Sequence, residues 1–201
     1  MKRIITTLLA ASLMLLGTEA FAQVSVNAGY LNSTLAYENA SDNDNGLFAG
    51  VTATIPIIGG LSIAPGVYYS MLTGKVLDFG TIANAILTEH AVNVPVYVSY
   101  GYDLSRDMKV FFFGGPTLQY GLASNTKYSS GLISDSSLTV DNYKDSSNYE
   151  RKNVFLGGGL GMQVAGFLVS LGYDYGLMNQ FKSDNSVAHR SNLKIGVGYA
   201  F

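Results

Sequence analysis

The sequence predicts an all-β chain folded as an eight-stranded antiparallel up-and-down transmembrane β-barrel, on three observations. Apolar residues alternate with small or polar ones at a period of two over eight segments. The links between those segments alternate between tight turns and long stretches rich in Ser, Asn and Asp. The composition, with 23 Gly, 14 Tyr and 10 Phe against 4 Pro, favours strands and turns, because Gly weakens helix interiors and aromatic rings suit pleated surfaces.

Residues 1–22 precede the barrel and have the form of a signal peptide. Lys2 and Arg3 give a positive start, Ile4 to Leu16 is an apolar core, and Ala20 and Ala22 place small residues where a signal peptidase inspects the chain. Cleavage is expected before Gln23, leaving residues 23–201 as one barrel domain. The apolar run is too short for a spanning helix, which needs roughly 20 residues.

The strands follow in order. Val24 to Tyr30 and Leu47 to Ile55 show the weaker alternation. Leu61-Ile63-Pro65-Val67-Tyr69-Met71, Val92-Val94-Val96-Val98-Tyr100-Tyr102 and Val110-Phe112-Gly114-Pro116-Leu118-Tyr120 are more regular. Val154 to Val164, Phe167 to Leu177 and Leu193-Ile195-Val197-Tyr199-Phe201 complete the eight. Tight turns are expected at Ile58-Gly59-Gly60, Leu104 to Asp107 and Ala165-Gly166, and long loops at 38–46, 74–88, 124–149 and 178–189. Short turns at one end and long loops at the other are the pattern of outer-membrane barrels, with both termini at the periplasmic, short-turn side.

A soluble eight-stranded barrel of lipocalin or avidin type has the same period with its faces exchanged. The other face decides between them. It carries Ser25, Asn27, Thr52, Ser62, Ser70, Asn93, Gln119, Gly157, Gly159, Gly161, Ser170 and Gly196, small neutral residues that fill a narrow lumen, whereas a water-facing exterior is rich in Lys and Glu. The apolar face therefore meets lipid. There is no Trp for an interfacial girdle, a role the many Tyr can fill.

Charge and cysteine count exclude other classes. With 12 Lys+Arg, 14 Asp+Glu and 13% charged residues, the chain is neither a polybasic nucleic-acid binder nor a charge-driven disordered chain. The absence of Cys removes disulfides, thiolate metal sites, a Cys nucleophile and a lipidated Cys. No cofactor is implied.

Leu193-Lys194-Ile195-Gly196-Val197-Gly198-Tyr199-Ala200-Phe201 resembles the assembly signal of outer-membrane proteins, with Val197, Tyr199 and Phe201 as its alternating residues. Glu89 to Tyr100, Phe113 to Tyr120 and Gly157 to Gly161 resemble the Bacteroidetes-type outer-membrane β-barrel domain of the porin-like and PorT-like grouping, and the architecture is similar to OmpX-type and OmpA-type small barrels. The resemblance implies an integral outer-membrane protein whose partners are outer-membrane lipids, lipopolysaccharide, periplasmic chaperones and the barrel assembly machinery. It implies no particular activity.

Parity sends Phe48, Tyr68, Tyr97, Phe111, Phe113 and Phe155 inward, so rings are expected to plug the lumen and a general diffusion pore is not expected. Asp174 and Lys194 share the inward parity of consecutive strands. If Phe167 lies opposite Phe201, they face one another as a cross-strand ion pair. Asp103 is expected in solvent near the periplasmic mouth.

The rival reading is an outer-membrane lipid-modifying enzyme, for acyl transfer or deacylation, with rim His90 or His189 as base beside Glu89, Asp174 or a Ser. No motif surrounds either His, and two isolated His make no metal site. Residues 124–149, with eight Ser and with Tyr128, Tyr143 and Tyr149, are the expected contact loop for a surface ligand.

Overall fold

The computed structural model describes residues 22–36, 41–78, 83–130, 137–143, 150–180 and 188–201. The expected signal peptide lies outside the described residues except for Ala22. Every regular element described is a strand. They are β1 (Gln23–Ala36), β2 (Ser41–Ile58), β3 (Leu61–Asp78), β4 (Ala83–Asp103), β5 (Met108–Ser130), β6 (Ser137–Asp141), β7 (Lys152–Val164), β8 (Phe167–Gly176) and β9 (His189–Ala200). Eight pair as antiparallel neighbours and close through β1 on β9, while β6 adds to the upper part of β5. This is the expected eight-stranded barrel with one short strand more.

The period-two pattern sorts as lipid requires. Val26, Leu47, Val98, Phe112, Leu156, Val169 and Val197 all point outward and stay at least half exposed in the isolated chain, forming one apolar band around the barrel. Tyr100, Tyr102, Phe167, Tyr199 and Phe201 edge the band at the short-turn end; Tyr30, Tyr69, Tyr120, Tyr173 and Tyr175 edge it at the other. The turn Ala165-Gly166 has φ of 48° and 88°, the two positive values that a two-residue hairpin needs to match strand twist.

Two expectations are corrected here. The described residues of 38–46, 74–88 and 124–149 are largely strand, because β2 begins at Ser41, β3 runs to Asp78, β4 begins at Ala83, β5 continues to Ser130 and β6 covers Ser137–Asp141. Above the apolar band the outward face of a strand meets water and not lipid, so Ser, Asn and Asp occupy strands there without apolar alternation. The second correction concerns register: Phe167 lies opposite Tyr199 and not Phe201, whose backbone N–H instead donates to Val24 O at 2.9 Å.

Inside, glycines on one wall make room for rings from another. A Cβ at Gly159 would sit 2.6 Å from Phe113 Cζ, one at Gly161 2.4 Å from Phe111 Cζ, and one at Gly29 2.7 Å from Phe48 Cζ. Gly161→Val, whose Cβ would meet the Phe111 ring before any backbone atom, should therefore destabilise the barrel by about 1–3 kcal/mol through overpacking. Gly114→Ala, whose Cβ would meet nothing closer than 3.4 Å, should be near neutral. Urea unfolding in lipid vesicles separates the two, and equal midpoints would refute the ring-on-glycine packing.

Candidate functional site

The polar groups that could do chemistry lie in the lumen, because lipid leaves no other place for them within the apolar band. Near the short-turn end, Asn27 donates to Ser25 Oγ at 3.0 Å and to Tyr68 Oη at 3.2 Å, and Tyr68 also bonds Thr52. At mid-height Tyr97 Oη lies 3.1 Å from Thr117 Oγ1, and Gln119 donates to Asn93, which donates to Ser70, at 2.9 and 2.8 Å. Each donor in this layer faces an acceptor on a neighbouring strand, which offsets the cost of keeping polar groups out of bulk water.

Lys194 sits at the same height. Its Nζ lies 2.5 Å from Asp174 Oδ2 and donates to Tyr97 Oη at 3.1 Å. The residue directly opposite Lys194 is Gly172, and Asp174 faces Asn192. The two charges meet diagonally, one step of the same face away from the directly opposed pairing expected. A shift of two residues preserves parity, and the long lysine chain spans the offset.

A second ion pair lies above the first. Arg190, fully buried, donates from Nη1 to Glu89 Oε2 at 2.9 Å across the barrel, and Tyr143 Oη donates to Glu89 Oε1 at 3.3 Å. Arg190 shares the even-numbered inward parity of Asn192 and Lys194 on β9, a signal present in the sequence but not used there. Asp44 faces the same level from β2. Its outward neighbours Asn43 and Asn45 are exposed and polar, so it lies beyond the apolar band. Burial pushes its carboxyl above the ordinary 3.8, opposed by the Arg190 charge and reinforced by Glu89 and Asp42.

Tyr143 corrects another expectation. It is not displayed to a surface partner; it is buried at the lumen mouth, with Arg151 donating to its carbonyl at 2.7 Å and stacking over its ring at 4.9 Å. Its turn is set by Asp141 Oδ1, which accepts its N–H at 2.9 Å. Of residues 124–149, 131–136 and 144–149 lie outside the described residues. The Glu89 proposed as a catalytic acid is the partner of Arg190.

The two imidazoles point outward into the upper aromatic edge. His90 bonds Tyr69 Oη at 2.5 Å and stacks on its ring; His189 Nδ1 lies 3.1 Å from Gly176 O and stacks on Tyr175. Among the described residues neither bonds a Ser hydroxyl or a carboxylate, so no Ser-His-acid relay is assembled around them. No group of three or more His, Cys, Asp or Glu side chains converges among the described residues. Asp103 is exposed at the short-turn end.

The outer membrane protein beta-barrel domain family matches residues 17–182. Ail, the attachment invasion locus protein of Yersinia pestis, in complex with the heparin analogue sucrose octasulfate, aligns with a TM-score of 0.54 at 13% identity, over 90% of this chain and 100% of that one. A second Ail structure gives 0.50 at 14% identity with the same coverage. Neisserial surface protein A gives 0.48 at 16% identity, over 90% of this chain and 100% of that one. No curated protein matches by sequence. Identities this low establish a shared barrel fold and nothing about ligands.

Removing Lys194 tests the lumen pair. Lys194→Met leaves Asp174 without its cation and should cost roughly 3–5 kcal/mol, most of which Asp174→Asn should recover in the double variant. A thermodynamic cycle from urea unfolding in bilayers reads the coupling, and additive losses would mean the two side chains do not depend on each other.

Proposed function

The chain belongs to the outer membrane protein beta-barrel domain family, and we propose that within it this barrel is a non-enzymatic, non-conducting protein that acts by surface contact. The observation that carries the reading is the filled lumen beneath strands that outrun the membrane. Rings of Phe48, Tyr68, Tyr97, Phe111, Phe113 and Phe155 occupy the interior, and the buried Arg190 and Glu89 pair with Tyr143 caps it. Above the apolar band, β3, β4, β5 and β6 continue as a sheet with Ile86, Leu122, Lys127 and Val140 exposed. A rigid sheet of this kind offers contact area at little ordering cost.

The rest of the reading concerns address and assembly. Residues 1–22 are removed between Ala22 and Gln23, the short turns and both termini face the periplasm, and the extended strands face outward. Val197, Tyr199 and Phe201 are read by the assembly machinery, and the barrel sits among outer-membrane lipids and lipopolysaccharide. The porin-like and PorT-like Bacteroidetes grouping is the branch we assign. For the outward sheet, a sulfated sugar of the kind bound to Ail is the first ligand class to assay. The lipid-modifying alternative draws no support from His90 or His189, whose partners are Tyr69 and a backbone carbonyl.

Two experiments test this. The purified protein in a planar bilayer should show no steady open channels, and stable conductance would overturn the filled-lumen reading. Phe201→Asp should reduce the outer-membrane yield sharply, with the chain left to periplasmic proteolysis; an unchanged yield would remove Phe201 from the assembly signal.

A further inference from the structure

Three of the four prolines stand in consecutive strands, Pro65 in β3, Pro95 in β4 and Pro116 in β5. Each interrupts one seam of the barrel. Pairing of β2 with β3 skips Ala53 and Thr54 against Ala64 and Pro65. That of β3 with β4 skips Gly66 and Val67 against Val94 and Pro95, and that of β4 with β5 skips Val96 and Tyr97 against Gly115 and Pro116. The register is the same on both sides of every gap, so none of the three is a bulge. Their cause is covalent, since a proline nitrogen carries no hydrogen to give across the seam. By contrast, the seams of β1 with β2, β1 with β9, β5 with β7, β7 with β8 and β8 with β9 run unbroken.

The gaps lie inside the apolar band, flanked by exposed Ile63 and Val67 on β3, Val98 on β4, and Phe112 and Leu118 on β5. Proline is ordinarily confined to edge strands or bulges, and a closed barrel has no edge in the membrane. Hydrocarbon supplies no substitute for the lost donor. Three losses on adjoining seams therefore weaken the β2 to β5 wall relative to the rest, while the ladders above and below keep the strands aligned. Ala53, Ala64, Gly66 and Gly115 fall within the gaps, so little side chain covers them.

Residues of the gaps also line the lumen cavities. Pro95 and Tyr97 face one of about 90 Å³, and Thr54, Ala64 and Tyr97 face one of about 130 Å³. Each cavity thus lies one strand's thickness from lipid. Phe113 presents its ring to both, with Thr52 and Gln119 as polar neighbours. A molecule that arrives through hydrocarbon must be uncharged. Since a cavity of roughly 150 Å³ holds one benzene, the larger space suits about one ring.

We propose that the β2 to β5 wall is a lateral portal, whose seams at Pro65, Pro95 and Pro116 part to admit small uncharged amphiphiles from the bilayer into the lumen cavities. The route ends in the lumen and crosses no membrane, so it goes beyond the surface-contact reading and leaves the barrel non-conducting.

The chain has no native cysteine, and Ser170 lines both cavities from β8, on the unbroken wall. In proteoliposomes, Ser170→Cys should react with uncharged N-ethylmaleimide. With Pro65, Pro95 and Pro116 all replaced by Val, which restores the donors, that rate should fall at least ~10-fold, because thiol reactivity follows access. Heat-dependent gel migration confirms that each variant is folded. A membrane-impermeant cationic methanethiosulfonate that modifies Ser105→Cys at the short turns should leave Ser170→Cys intact, and benzyl alcohol in the bilayer should protect it from the maleimide. Equal maleimide rates with and without the prolines, no reaction in either, or no protection would overturn the portal and leave the non-conducting barrel standing. Cationic modification from one face would do the same, by showing entry from water; from both faces it would indicate a through-pore and overturn both readings. In the native chain in nanodiscs, NMR relaxation dispersion should find μs–ms exchange at the amides of Thr54, Val67 and Tyr97 and not at Met162, Val169 and Val197. A quiet β2 to β5 wall would overturn the portal without recourse to any variant.

Discussion

The structure depends on the pairing of β1 with β9. In hydrocarbon every backbone N–H and C=O must find its partner within the protein, and closure of the sheet is the only way strands can meet that requirement. Twelve residue pairs from Ser25 with Ala200 to Ala36 with His189 make the seam. Closing at eight strands fixes a lumen only as wide as the side chains that fill it. The inversion of the interior follows: apolar residues go to lipid, and rings, glycines and polar groups share a narrow core.

That core cannot be held by apolar burial alone, so its polar groups must satisfy one another. The Lys194 and Asp174 pair and the Arg190 and Glu89 pair both come from β9 to a different strand, β8 in one case and β4 across the barrel in the other. Buried ion pairs contribute little net stability, since desolvation offsets much of their attraction, but breaking one is costly. Slipping β9 by one residue against its neighbours would turn Lys194 to lipid and take Arg190 away from Glu89 at once. We infer that the pairs act mainly on register, penalising misaligned closure more than they stabilise the aligned state.

Parity was legible in the sequence because lipid on one side and a small lumen on the other impose it on every spanning residue. The inward rings, the outward Val and Leu rows and the tight turns all follow from it. Register was not legible, because aromatic residues at positions 199 and 201 satisfy the same face; in the structure Phe167 lies opposite Tyr199, and the Ala200 N–H donates to Gly166 O at 2.8 Å. Strand length was hidden for a related reason: beyond the apolar band the alternation that marks a strand disappears. The Arg190 and Glu89 pair could have been found from parity, but β4 and β9 are far apart in sequence and only the closed barrel brings them face to face.

Strand lengths differ around the barrel, with 10 residues in β8 and 12 in β9 against 21 in β4 and 23 in β5. The wall is thus tall on one side, and a tall wall in water exposes a sheet edge that invites pairing with another chain. Among the described residues β6 forms one edge, pairing with β5 alone, and it is only five residues long, while residues 74–78 of β3 pair with β4 alone and form the other. It ends at Asp141, whose carboxylate turns the backbone so that the Tyr143 ring enters the barrel and reaches Glu89. Arg151, from the start of the next spanning segment, then holds Tyr143 by its carbonyl and its ring. The residue that stops the edge strand is therefore also part of the lumen's outer seal. Shortening the exposed edge and closing the interior are achieved by the same turn, so a change that extended β6 through Tyr143 would open the lumen as it lengthened the edge.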